Sequence, residues 1–165
     1  MNAGQFVQWQ DLFVVLDDGT IPVVRYPAIE AAMREQARTN PGGVACLVLL
    51  PGDTRPPPED TKQAVKGLLG RMMRQLSCLA YVVEGTGFKG VAVRATLVGM
   101  KIFSSRPYPI YVETSLQDAL VKVVPHLVNG HMTSIELLKK TINDARLMWQ
   151  IPAPERARDN EMTLK

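Results

Sequence analysis

Cysteine and histidine are scarce in this chain of 165 residues, which contains two of each. Cys46 and Cys78 lie in the apolar segments ACLVLL and LSCLAY, which predicts that both are buried free thiols. A disulfide framework or a metal site would need more partners than these residues offer. The sequence therefore predicts no metal and no other cofactor.

Long hydrophobic runs are also lacking. No apolar stretch approaches the roughly 20 residues that span a bilayer, and the segment MNAGQFVQWQ lacks the basic and apolar regions of a signal peptide. We therefore expect a cytoplasmic protein without a membrane span. The net charge of +3 is small, without the dense basic patch of a nucleic-acid-binding protein, so no nucleic-acid partner is expected.

A strand–helix–strand pattern after residue 78 sets the predicted fold class. The β-rich run Leu79–Val83 is followed by glycines and then by apolar residues at spacings of 3 and 4, which is typical of one helix face. A second β-rich run, Pro109–Val112, precedes a helical pattern that begins near Ser115. Such a crossover unit predicts an α/β sheet. The apolar face of the first helix comprises Phe88, Val91, Ala95, Val98 and Ile102.

The N-terminal region predicts a β-hairpin. Asp17-Asp18-Gly19 stands between two apolar runs, which is a strong turn signal, and Thr20–Arg25 supplies the returning strand. Pro22 cannot donate a ladder hydrogen bond, so this strand is expected at a sheet edge. A helix over Ala28–Arg38 follows.

The middle of the chain predicts a buried strand and a long helix. Val44–Leu50 is short and continuously apolar, as in the central strand of a parallel sheet. The proline-rich segment Pro51–Pro58 is a loop, and a helix runs from Glu59 to about Leu76. That helix has a basic side formed by Lys62, Lys66, Arg71 and Arg74. Together with Lys89 and Arg94, this side is either a cationic surface or an ordinary solvated face.

Two further helices are expected near the C-terminus. One runs over Ser115–Val128, with Thr114 or Ser115 as its N-cap. The last runs over Ile135–Trp149 and has a narrow apolar seam, which either packs back on the domain or meets another chain. The predicted organisation is a domain over residues 1–128, an amphipathic helix over 129–150 and a mobile polar tail over 151–165. The interface candidates are Ile135, Leu138, Ile142 and Trp149.

One glycine-rich segment resembles a nucleotide-binding motif. Residues 85–90 read GTGFKG and spell G-x-G-x-x-G after a predicted strand, and the acidic Glu113 ends the next strand. The fingerprint normally follows the first strand of its domain, whereas here other strands precede it. A glycine turn is the alternative. Small-ligand or nucleotide binding, our second functional hypothesis, uses Gly85, Gly87, Lys89 and Gly90.

The order of these elements resembles the STAS (anti-sigma-factor antagonist) superfamily, particularly its small stand-alone bacterial members. The likeness covers roughly Phe6 to Leu127 and includes FVVLDDGTIPVVR, VACLVLL, LAYVV and IYVETSLQDALVKVV. It implies a mixed sheet of four to five strands with an N-terminal hairpin and packed helices, here with an extra C-terminal helix.

The resemblance also implies a function. STAS domains are non-enzymatic regulatory or signalling modules that dock on a protein partner or sense a small ligand, so the partner expected here is a regulatory kinase or a second copy of the chain. Phospho-regulated members carry a serine or threonine where the helix after the central strand begins. Thr61 and Thr54 occupy comparable places, although the segment PGDTRPPPEDTKQAV departs from the family pattern. The alternative is that Asp60 or Thr61 only caps the helix.

Overall fold

The computed structural model describes residues 6–51, 54–84, 88–102 and 106–150 of the chain. Strands and helices alternate after an initial pair of strands. The strands are β1 (Phe6–Trp9), β2 (Leu12–Leu16), β3 (Val44–Leu50), β4 (Leu76–Val83) and β5 (Ile110–Glu113). The helices are α1 (Tyr26–Thr39), α2 (Glu59–Arg71), α3 (Phe88–Ile102), α4 (Leu116–Val123) and α5 (Ile135–Gln150).

The strands form one mixed sheet in the order β1-β2-β3-β4-β5. β1 pairs antiparallel with β2, and the other neighbours pair in parallel. This arrangement confirms the predicted α/β fold with an N-terminal hairpin. The run Val44–Leu50 is the central strand, which is the position its continuous apolar sequence predicts.

The two faces of the sheet carry different helices. Because the crossovers between parallel strands have one hand and β2 to β5 follow one another across the sheet, their connecting helices share one face. The core on that face contains Met33 of α1, Leu68 of α2 and Val93 of α3. The core on the other face contains Leu120 of α4 and Leu138 of α5.

The predicted turn at Asp17–Gly19 and the returning strand Thr20–Arg25 are wrong. The hairpin lies earlier in the chain, where Gln10 adopts a φ of 49° between β1 and β2. The Asp17 and Asp18 carboxylates accept hydrogen bonds from the backbone N–H groups of Gly19 and Thr20. The Asp-Asp-Gly signal therefore marks local side-chain turns that lead towards α1, and Pro22 precedes a short 3-10 turn instead of lying in an edge strand.

Two helix ends also differ from the prediction. α2 ends at Arg71, whereas the prediction extended it to about Leu76. Leu76 is instead the first residue of β4. α4 ends at Val123, since Pro125 lacks the N–H that would continue it, and a 3-10 turn follows. Its start is confirmed, because the Ser115 hydroxyl accepts a hydrogen bond from the N–H of Asp118 at 3.1 Å.

The apolar face predicted for α3 is not the face that packs on the sheet. Phe88, Val91 and Val98 are exposed, whereas Val93 and Leu97 are buried against the sheet. Both sets have helical spacing, so α3 carries two apolar faces and periodicity could not choose between them.

The last helix packs back on its own domain. Leu138 and Ile142 are buried in the core shared with α4, and Ile135 packs against that core. Leu138 and Ile142 are therefore covered within the chain, which corrects their assignment to an interface. Trp149 lies within α5, but its side chain and the predicted tail over 151–165 lie outside the described residues.

A buried carboxylate ties the hairpin to the C-terminal region. Asp11 is 3 % exposed, and its Oδ2 accepts a hydrogen bond from the N–H of Val128 at 2.6 Å. Its backbone carbonyl also accepts from the N–H of Ala45. The contact joins segments that are far apart in the chain.

We predict that Asp11→Ala lowers the free energy of unfolding by about 1–3 kcal/mol, because the hydrogen bond from the Val128 N–H to the buried carboxylate is lost. Urea unfolding monitored by circular dichroism measures this loss. Glu35→Ala is the control, since its ion pair with Arg38 lies on the surface, and it should leave the midpoint unchanged. Equal midpoints for the two variants would contradict the assigned role of Asp11.

Candidate functional site

The burial of the central strand is interrupted at one residue. Every residue of β3 is buried except Val48, which is only half-buried although neighbouring strands lie on both sides. Val48 shares a sheet face with Cys46 and Leu50, which are buried in the core beneath α1, α2 and α3. Space is therefore left above the middle of β3.

This space is a cavity of about 650 Å³ between the sheet and helices α1, α2 and α3. Val15, Val48, Tyr81 and Ile110 contribute to it from four successive strands. These four strands span about 14 Å across the sheet, and the cavity runs about 13 Å along β3 from Cys46 to Leu50. Its walls are mostly aliphatic and aromatic side chains.

Helix geometry explains why the space exists. If each crossover helix lay directly above the pair of strands that it connects, the axes of neighbouring helices would be about 5 Å apart. Packed helices need about 8–10 Å between their axes. The helices must therefore spread or rise from the sheet. α1 lies over the outer strand, where the Gln8 side chain donates to the Ala32 carbonyl at 3.1 Å. Of its described residues, α2 fully buries only Leu68, and its Val65 and Leu69 side chains are partly buried and line the cavity.

An ion-pair cluster fixes the C-terminal end of α2 to α1. The Arg71 guanidinium donates to both carboxylate oxygens of Glu30, at 2.7–3.0 Å, and Arg34 donates to the same carboxylate at 2.8 Å. The Arg71 hydrogen bond, with a smaller contribution from Arg34, holds the pKa of Glu30 below its usual value. The cluster holds α2 in place above the cavity.

The loop that precedes α2 closes one end of the cavity. Thr54 and Pro56–Pro58 line it there, beside Gly19. A Cβ on Gly19 would lie 3.2 Å from the Thr54 methyl group, and Gly19 has a φ of +85°, so both space and backbone require glycine. Thr54 is 5 % exposed, and its hydroxyl has no hydrogen-bond partner among the described residues.

Titratable groups in the cavity wall are shifted towards their neutral forms. Burial raises the pKa of Asp17, and burial together with the Asp17 charge raises the pKa of Tyr26 to about 12. Burial raises the pKa of the Cys46 thiol to about 12 and also raises that of Tyr81. The Cys46 thiol and the phenols of Tyr26 and Tyr81 are therefore protonated at pH 7. In this form they pack against their neighbours and can donate hydrogen bonds, but they do not act as nucleophiles.

Cationic side chains border the cavity. Arg55, Lys62, Lys66 and Arg106 line it, against the acidic Asp17 and Glu59. The predicted basic side of α2 is thus divided, because Lys62 and Lys66 border the cavity whereas Arg71 is held by Glu30.

The two threonines predicted as phosphorylation sites both line this cavity. The Thr54 hydroxyl is buried, which leaves it out of reach of a kinase in this structure. Thr61 is half-buried in the first turn of α2, and its N–H donates to the Asp60 carboxylate at 2.7 Å. Phosphorylation of Thr61 remains a prediction.

The glycine motif follows β4, and only part of it belongs to the described residues. Gly85, Gly87 and the side chain of Lys89 lie outside the described residues, and Gly90 is buried within α3. β4 has β3 on one side and β5 on the other, so the strand order does not reverse beside the motif as it does at a nucleotide-binding crevice. Glu84 is held by Arg146 at 2.6 and 2.8 Å. The strand order thus removes one structural argument for nucleotide binding.

Sequence reasoning missed the cavity. Val48 gave no signal, because a continuous apolar strand does not show which of its residues is covered. Two features of the sequence did indicate a helix that covers the sheet incompletely. The first turn of α2 is polar, and a proline-rich segment precedes it.

Comparison of the chain with protein-family models, curated proteins and solved structures gave no match. The STAS resemblance therefore remains a prediction. Among the described residues, no cluster of three or more potential metal ligands occurs, and no helix has the length and hydropathy needed to cross a bilayer.

We predict that Glu30→Gln lowers the melting temperature at pH 7, by on the order of 3 °C, because the ion pairs that hold α2 are lost. The folded-state pKa of Glu30 is depressed, so its stabilisation is present above the unfolded value of about 4.5 and disappears as the pH falls through the lower folded value. The difference between wild type and variant should therefore narrow towards pH 3.

Thermal unfolding from pH 7 to pH 3 measures this effect. Glu113→Gln is the matched control, because no salt bridge among the described residues involves Glu113. A difference for Glu30→Gln that stays constant with pH would argue against the ion pair.

Proposed function

We propose that this protein is a non-enzymatic binding domain that holds a small, largely apolar molecule between the sheet and helices α1 to α3. The observation that carries the proposal is the cavity of about 650 Å³ above Val48, within the range of known ligand sites. Ligand sensing by a regulatory domain is also among the functions that the STAS resemblance implies.

The size of the cavity supports a ligand. At about 24 cal/mol per Å³, a dry empty cavity of this volume would cost roughly 15 kcal/mol, which is as much as the whole stability of a domain. The space must therefore hold solvent or a ligand. Because the walls offer few polar partners for water, displacement of that water by an apolar molecule is favourable.

We predict that the protein binds N-phenyl-1-naphthylamine, a neutral dye that fluoresces outside water. About 17 heavy atoms at roughly −0.4 kcal/mol each correspond to a Kd near 10 μM. Val48→Trp should weaken binding at least about tenfold, because the indole fills the space above β3. Fluorescence titration measures both affinities.

Val121→Trp is the matched control, since Val121 is exposed on α4 at the opposite face of the sheet. It should bind the dye as the wild type does. A melting temperature for Val48→Trp at or above that of the wild type shows that the indole is accommodated. Unchanged dye affinity in such a variant, or no binding by the wild type, would refute the cavity proposal.

Self-association is a second candidate function, favoured by the exposed face of α3. Phe88 is 87 % exposed, Val91 50 % and Val98 43 %. Thr96 lines the cavity towards α2, so Val91 and Val98, on the opposite side of the helix, face the outer edge of the sheet beside β5. Antiparallel pairing of β5 with β5 of a second copy would continue the sheet and bring these apolar faces together.

We predict that Val91→Asp shifts a dimer towards monomer in light scattering, because the buried contact would then contain an unpaired carboxylate. Val121→Asp, on the opposite face, should leave the mass unchanged. A wild type that stays monomeric at high concentration would exclude this second function.

A further inference from the structure

The charges around the cavity point to the chemical class of its ligand, an inference that rests on the proposed binding function. Four cationic side chains and two carboxylates line the cavity. Glu59 is engaged by Lys62 at 3.4 Å and by Gln63 at 2.9 Å. The Asp17 carboxylate is also engaged, since it accepts a hydrogen bond from the backbone N–H of Gly19 at 2.8 Å. The border of the cavity therefore has a positive excess.

Three of the cations are not held in salt bridges within the described part of the chain, although Lys66 contributes, after Gln63 and Lys62, to the lowered pKa of Glu59. No salt bridge among the described residues involves Arg55, Lys66 or Arg106. Arg106 is half-buried, and its charge acts on the phenol groups of Tyr81 and Tyr108. Arg106 is therefore near Tyr81, which lines the cavity from β4, and is partly shielded from solvent. An anionic group bound at this border would gain attraction without displacing an existing ion pair.

The Thr54 hydroxyl provides an independent indication of a polar ligand atom. It is buried at the cavity wall and has no partner among the described residues. A buried hydroxyl without a partner costs free energy, which a ligand oxygen would recover by accepting its hydrogen bond.

We propose that the ligand is an anionic amphiphile of the long-chain carboxylate class, with its chain over Val48 and its head attracted by the cationic border. The cavity extends about 13 Å along β3, which matches an extended chain of roughly ten carbon atoms. The carboxylate has a single charge and acceptor oxygens only, which suits the cationic border, and the Thr54 hydroxyl offers a donor at one end of the cavity.

Three probes with the same hydrocarbon chain but different head groups separate the effect of charge on affinity from that of the apolar cavity. Dodecanoate, dodecan-1-ol and dodecylammonium are titrated against the protein loaded with N-phenyl-1-naphthylamine, and displacement gives each affinity. We expect dodecanoate to bind about tenfold more tightly than dodecan-1-ol, with dodecylammonium weakest, and the preference should fall as salt is added.

Variants then assign the preference to residues. In the doubly substituted Lys66→Gln and Arg106→Gln protein, the preference for dodecanoate over the alcohol should fall to about threefold or less, while affinity for the alcohol is unchanged. Thr54→Val keeps the shape and should weaken dodecanoate binding by about threefold to tenfold. Arg74→Gln is the control, because Arg74 is exposed and does not line the cavity.

The outcomes distinguish this inference from the function on which it rests. Equal affinities for the three probes would overturn the anionic assignment and leave the apolar binding site standing. Failure of the dye and of every probe to bind would refute the binding function itself. A preference for dodecanoate that survives in the doubly substituted protein would show that these cations do not create it.

Discussion

The constraint on which this structure depends is the mismatch between the spacing of strands and the width of helices. Strands β2 to β5 follow in order across the sheet, so three connecting helices must share one face. Neighbouring strands are about 5 Å apart, whereas helices need 8–10 Å. α1 meets this demand by leaning towards β1, and α2 fully buries only Leu68 while its other apolar side chains stay partly buried. The cavity is the space that remains beneath α2.

The opposite face shows what happens without that constraint. Among the described helices, α4 and α5 cover it, with buried side chains such as Leu120, Leu138 and Ile142. The described cavity lies on the other face of the sheet, beneath α1, α2 and α3. The proposed binding therefore belongs to the side with three helices. The Glu30–Arg71 ion pair fixes the helix that covers the cavity, which gives it a part in the proposed function.

Much of the fold could be predicted from the sequence. Val44–Leu50 is the central strand, Ser115 caps α4, and both cysteines are buried free thiols. These predictions succeeded because each depends on local pattern or on the average environment of one segment. The Asp17–Gly19 hairpin failed because the same residues form side-chain turns equally well. The candidate site was predictable only in part: Thr54 and Thr61 line the cavity, but they were singled out for a different chemistry.

The sequence by itself determined the α/β class, the central strand and the hydrophobic content of each segment, since propensity and periodicity act over a few neighbouring residues. Only the tertiary structure decided which apolar face of α3 meets the sheet and why Val48 remains half-buried. Both depend on distances between helices that are separated by whole strands in the chain. Such distances arise from packing three helices on one face, a property that no single segment encodes.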